Sequence, residues 1–205
     1  MGAKKIAKNN RYVTPEDDQT MGSERFVDLD PAEMSEDQKR VFEAINSGPR
    51  GRVAEPFRLL LQSPELADRV QNLGAFTRYG SSLPPRLSEL AIIITARFWN
   101  SPYEWHHHVR DGLAGGVPAK EIEAISRRER PDFDDEKADA LYDFVTELHT
   151  NRSVSDATFD RAKATFGIAG VIDLIGILGH YTLMAMVLNT FEVAKPDGTK
   201  IPLED

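Results

Sequence analysis

The chain has 205 residues, a formal net charge of −8 and no cysteine. That length suits one domain with a substantial core better than two small ones, and the lack of cysteine excludes disulfides, thiolate metal sites and thiol-based catalysis. The negative charge runs without long single-sign blocks, which argues against nucleic acid or an anionic membrane as partner and leaves a small molecule or another protein surface.

The first twenty residues, MGAKKIAKNNRYVTPEDDQT, are polar and lack an apolar h-region, and Ile6 stands where a myristoylation signal needs Ser or Thr. A cytoplasmic protein is expected. Residues 1–34 show no apolar period and read as a polar arm, with a single domain over 35–205. Ser35 and Gln38 form the pattern of a capping box ahead of Val41, Phe42 and Ile45, and GPRGR at 48–52 ends that helix. A short apolar turn over 57–61 leads to Ser63-Pro64, an N-cap followed by proline, and Leu66, Val70 and Leu73 follow at helical spacing.

Pro84-Pro85 opens the next helix, whose run over 87–98 is apolar nearly all round and is expected at the centre of the fold. Ser101-Pro102 breaks it and starts another, closed by Gly115-Gly116. A short helix over 118–125 precedes the connector RRERPDFDDE. Asp134 is placed to cap a helix carrying Leu141, Val145 and Leu148, and Ser155 to cap one ending at Gly167.

The segment 168–191 is long and apolar enough to suggest a membrane span, but Asp173, His180 and Asn189 lie inside it and glycines recur at 167, 170, 176 and 179. It reads as a bundle helix with a stripe of small residues for close approach. No strand pattern appears, so the expected fold class is all-α, with about seven or eight helices.

Chemistry concentrates in ELAIIITARFWNSPYEWHHHVRDGLAGG, residues 89–116. Glu104 and His108 stand at i, i+4, with His107 beside them and His106 on the far side. A carboxylate next to an imidazole orients it and supplies a proton donor or acceptor near neutral pH, although this spacing is also common on solvated helices.

This stretch, with HYTLMAMVLNTFEVAKPDG at 180–198, resembles the carboxymuconolactone decarboxylase and alkylhydroperoxidase D-like family over 57–198. In the thiol branch of that family a glutamate precedes a Cys-x-x-Cys, with a histidine four residues after the second cysteine. The resemblance puts Glu89 on the glutamate, Ser101 and Glu104 on the two cysteines, and His108 on the histidine. It implies an alkylhydroperoxidase D-like helical bundle and, with both sulfurs gone, no thiol peroxidase chemistry. Glu-x-x-x-His looks more like the decarboxylase branch, which implies a cofactor-free lyase acting on a small carboxylated or lactone substrate. A non-catalytic, ligand-binding member of the fold is the alternative.

Loss of CO₂ from an unsaturated lactone acid leaves a dienolate to be protonated. His108 is the candidate acid, with Glu104 and Glu89 orienting it or relaying its proton. Arg97 or Arg110 is placed to hold a carboxylate or to form an ordinary ion pair. Ser101, Tyr103, Trp105, His107, His180 and Tyr181 are the remaining candidates for lining a substrate pocket, while the aromatic cluster at the corner also suits core. Asp173 shares a helix face with His180. No cofactor is expected, although the histidine run with Glu104 could supply at most two histidines to one metal ion, joined by His149 or His180. The apolar last helix and the family resemblance both point to a homotrimer or homohexamer.

Overall fold

The computed structural model describes Arg25 and residues 28–193, so most of the expected arm and the end of the second family-like stretch, 194–198, lie outside the described residues. Eight helices and no strand are present among the described residues. Residues 28–34 lie against their own chain, with Met34 buried and Leu29 packed on the same cluster.

Helix α1, Glu36–Ser47, begins with the capping box: Ser35 Oγ accepts from Gln38 N at 3.3 Å and Gln38 Oε1 accepts from Ser35 N at 2.8 Å. Such a cap stabilises by about 1 kcal/mol. Where a turn was expected, α2 forms over Glu55–Leu60, because Pro56 fits the first helical turn and Phe57, Leu59 and Leu60 bury one face. Helix α3, Pro64–Tyr79, starts where the Ser-Pro pair predicts, but its inner face is Ala67, Val70, Gln71, Gly74 and Thr77. Leu66 and Leu73 are 44% and 43% exposed. The small residues win that face because α3 packs closely on the last helix, where a Cβ on Gly176 would stand 3.9 Å from Thr77 Cγ2.

Helix α4, Pro85–Phe98, is buried from Leu87 through Arg97 and packs against α3, α5, α6, α7 and α8, the central position its all-round apolar surface requires. Helices α5, Pro102–Gly115, α6, Ala119–Ser126, and α7, Glu136–Asn151, follow. Asp135, not Asp134, caps α7 by accepting from Lys137 N at 2.9 Å, while Asp134 instead pairs with Lys120 at 2.7 Å. Helix α8, Asp156–Thr190, is capped by Ser155 and kinks at Gly167, whose φ of 68° only glycine adopts easily. It is long and apolar enough to cross a membrane, and half of its most apolar window is buried in the bundle.

Two apolar clusters result. One surrounds α4 with side chains from α5 to α8, and the other joins α1, α2 and α3 to Met184 of α8.

Candidate functional site

The corner between α4 and α5 is made by local chemistry. Asn100 takes φ 45°, a left-handed conformation that asparagine tolerates better than most residues, and Ser101 N returns to Ala96 O at 2.9 Å. Arg97 lies behind the corner, donating to the Asn100 side chain and, at 2.8 Å, to Ser126 O. Asn189 of α8 donates to Trp99 O at 2.8 Å. Proline at the first position of α5 then sends Glu104 and His108 inward.

Gly112 lets α4 and α5 approach, since a Cβ there would lie 2.7 Å from Ile93 Cδ1 and 3.7 Å from Glu89 Cβ. That approach decides the partner of His108. Its Nδ1 sits 2.7 Å from Glu89 Oε2, both side chains being buried. The expected Glu104–His108 pair does not form, because a neighbour on the same helix competes with a carboxylate delivered from across the helix contact. Glu89 Oε2 accepting from Nδ1–H leaves Nε2 as the ring nitrogen open to a ligand.

Glu104 is 3% exposed, and neither of its carboxyl oxygens has a hydrogen-bond partner. Burial pushes its pKa up to about 8, offset only in part by the nearby Ser101 hydroxyl, so it carries a proton at neutral pH. A neutral carboxylic acid and an imidazole–carboxylate pair therefore stand one helical turn apart, with different proton-handling roles open to them.

Both open onto a pocket of about 210 Å³ whose wall draws on both apolar clusters, including Phe57, Tyr181 and Met184. The structure brings Tyr103, Glu104, His107, His108, Arg110, His180 and Tyr181 to this wall, with Glu89 behind His108. Tyr103 donates to Glu55. The rings of His108 and Tyr181 meet edge to face at 4.8 Å. Burial, with Arg50 and His108 adding to it, lowers the His180 pKa to about 3, and burial lowers that of His107 to about 4. Both are neutral at pH 7.

Other expected residues stand elsewhere. Trp105 is core, packed in the α4 cluster. Arg97 is consumed by the corner, and Ser101 is fully buried beneath it. Arg110 is largely exposed at the pocket mouth, paired with Asp111 at 2.9 Å. Asp173 accepts from Ser82 N at 2.8 Å, which holds the α3–α4 loop and takes it away from His180. His149 stacks on Phe98 and meets Thr95 Oγ1 at 3.0 Å, outside the pocket.

The charged lining residues Arg50, Arg52, Arg78 and Asp111 were not among the sequence candidates. Burial works against the Arg78 charge, but Tyr181, Tyr79, Glu89 and the Asp111 carboxylate outweigh it and raise its pKa. Burial likewise opposes ionised Asp111, and its bonds to Arg110 and Arg78 reverse the balance. Asp111, three residues after His108 on the same helix, was the one signal available.

Among the described residues, Glu89, His108 and Asp111 each place a ligand atom within 4.8 Å of the others. This trio, rather than the consecutive histidines, is what the fold offers a cation. Asp111 is already engaged by Arg78 and Arg110, and Glu89 by His108. His106 meets His107 edge-on at 5.0 Å and is not on the pocket wall.

No curated protein matches the chain. The model of the carboxymuconolactone decarboxylase family matches residues 64–147. Among solved structures, ATU0492 of Agrobacterium tumefaciens, a protein of unknown function linked by name to antioxidant defence and AhpD, is 19% identical at a TM-score of 0.60, with 67% of this chain and 94% of that chain covered. The debrominase Bmp8 without ligand is 15% identical at a TM-score of 0.66, covering 86% of this chain and 94% of that one. A cysteine-to-alanine variant of Bmp8 in complex with 2,3,4-tribromopyrrole is also 15% identical, at a TM-score of 0.67 with 85% and 94% covered. At these identities the structures speak for the fold alone. Over 64–147 this cysteine-less chain is similar to the carboxymuconolactone decarboxylase family, and its bundle of helices is AhpD-like in fold.

Proposed function

We propose that the chain is a carboxymuconolactone decarboxylase-like lyase that acts on a small carboxylated or lactone substrate by acid–base chemistry, without a thiol. The observation that carries this reading is the buried carboxyl of Glu104, without a hydrogen-bond partner, one helical turn from the His108–Glu89 pair in one pocket. The C–C bond to the departing carboxylate breaks, CO₂ leaves, and the electron pair remains on the substrate as a dienolate conjugated with the lactone carbonyl. Glu104 gives its proton to the dienolate carbon and regains one from water. His108, held by Glu89, hydrogen-bonds the substrate through Nε2 and accepts or returns a proton where the substrate requires it.

The test is the spectral loss of a carboxymuconolactone with purified protein. His108→Ala and Glu104→Gln should each slow it by about 10² or more. No loss at high enzyme concentration sinks that substrate, and full activity in both folded variants sinks the site.

The exposed apolar side chains Leu73 and Phe76 of α3 and Ile168, Ile172 and Ile175 of α8 support a further part of the proposal, a closed homotrimer or homohexamer.

A further inference from the structure

We propose that the Nε/Nη2 edge of Arg50, in the loop between α1 and α2, is the seat of a ligand carboxylate, so that this loop sets the charge class of what the pocket accepts. Arg50 precedes Gly51, whose φ of 68° reverses the chain and leaves the side chain pointing into the pocket. Its guanidinium carbon lies 4.6 Å from the centroid of the Phe57 ring. On the other side α3 makes room with Gly74, where a Cβ would come within 2.5 Å of Arg50 Nη2 and 2.6 Å of His180 Nε2. The group is thus held in one orientation by packing.

Arg50 Nε and Nη2 are both shielded from solvent, and neither has a hydrogen-bond partner in the protein. Their hydrogens project from one edge, which matches the two oxygens of a carboxylate. The chain's own carboxylates do not fill it. Asp111 is held by Arg78 and Arg110, Glu89 by His108, and Glu104 is protonated. Nearby, His180 Nδ1 is also buried without a partner, a second polar contact for the same ligand. Four arginines and one ionised aspartate line the pocket of a chain whose net charge is −8, so the local field favours anions against the global one.

The buried Nε/Nη2 edge is a two-pronged fork that matches the two oxygens of a carboxylate, whereas the other unpaired arginine of this loop, Arg52, is exposed where it lines the pocket. The assignment rests on the lyase reading only for its place in the reaction. Pairing with Arg50 stabilises a carboxylate against loss as CO₂, so the anchored group is one the reaction leaves on the product.

The experiment is titration of the full chain at pH 7 with benzoate and with its neutral isostere benzamide, followed by tryptophan fluorescence. Benzoate should bind saturably and at least about tenfold more tightly than benzamide. Arg50→Gln should weaken benzoate about tenfold or more. Arg50→Lys should recover only part, since an ammonium is not a fork. Arg69→Gln, the same charge change at an exposed pair with Glu65, should leave binding unaltered. The proposal is overturned if benzoate does not bind, if Arg50→Gln binds it as well as wild type, if benzamide binds equally, or if inorganic phosphate outcompetes benzoate. Arg50-dependent benzoate binding in a protein that leaves carboxymuconolactone untouched supports the seat and removes only the lyase reading.

Discussion

The two walls of the pocket are built on opposite principles. On the wall inside the family match, from α3, α4 and α5, charges meet partners: His108 has Glu89, and Arg78 has Asp111. On the wall outside it, from the α1–α2 loop and α8, Arg50 offers an unpaired edge and His180 an unpaired nitrogen. Paired groups hold a geometry and handle protons, whereas unpaired buried groups carry a desolvation cost that only a ligand offsets. Glu104 crosses this division, being an unpaired carboxyl on the paired wall.

That exception gives the largest expected effect. The Glu104 pKa rises from 4.5 to about 8 in the fold, so between those values the native state holds a proton that the unfolded chain has released. Stability from this group is therefore full below about pH 4.5 and is lost as pH rises through 8, at ~1.4 kcal/mol for each pH step between the two values. Denaturant melts of Glu104→Gln and wild type should diverge in favour of the variant between pH 5 and 9. Parallel curves would place Glu104 in an ordinary, solvated state. His180 works in the other direction: its pKa is lowered from 6.5 to about 3, so stability from it is lost as pH falls below 6.5.

Breaking the paired wall comes next. Glu89→Gln should keep the fold but lower turnover by about 10², because His108 loses the acceptor that sets its tautomer. An unchanged rate would make the pair a structural contact. A smaller effect, about tenfold on benzoate affinity, is expected from Gly74→Ala, whose new methyl displaces Arg50 Nη2 and His180. The pH profile of turnover should survive that change, since the His108–Glu89 side is untouched.

The smallest change per chain concerns the face α8 shows to solvent. Ile172→Glu with Ile175→Glu should leave the pocket intact and shift the sedimentation equilibrium mass from three or six times 22.9 kDa toward one. A wild-type species near 22.9 kDa at micromolar concentration would refute assembly.

The sequence by itself determined what is local. The capping box at Ser35, the Ser-Pro start of α3, the Ser101-Pro102 corner and the Gly116 cap need only a few adjacent residues, and all stand where their patterns put them. The all-round apolar run that makes α4 central, and the lack of any thiol, are equally plain in the residues. Only the tertiary structure decided who meets whom. Spacing on α5 paired His108 with Glu104, but the close crossing allowed by Gly112 delivered Glu89 instead. Spacing on α3 chose Leu66 and Leu73 for the core, but the approach of α8 favoured Gly74 and Thr77. Arg50 looked like part of a helix stop, and Arg97 like a ligand cation, until packing exchanged their roles. Caps and turns are read from neighbours along the chain, whereas hydrogen-bond partners across helices depend on side-chain direction and on distances between elements far apart in sequence, which no periodicity within one helix encodes.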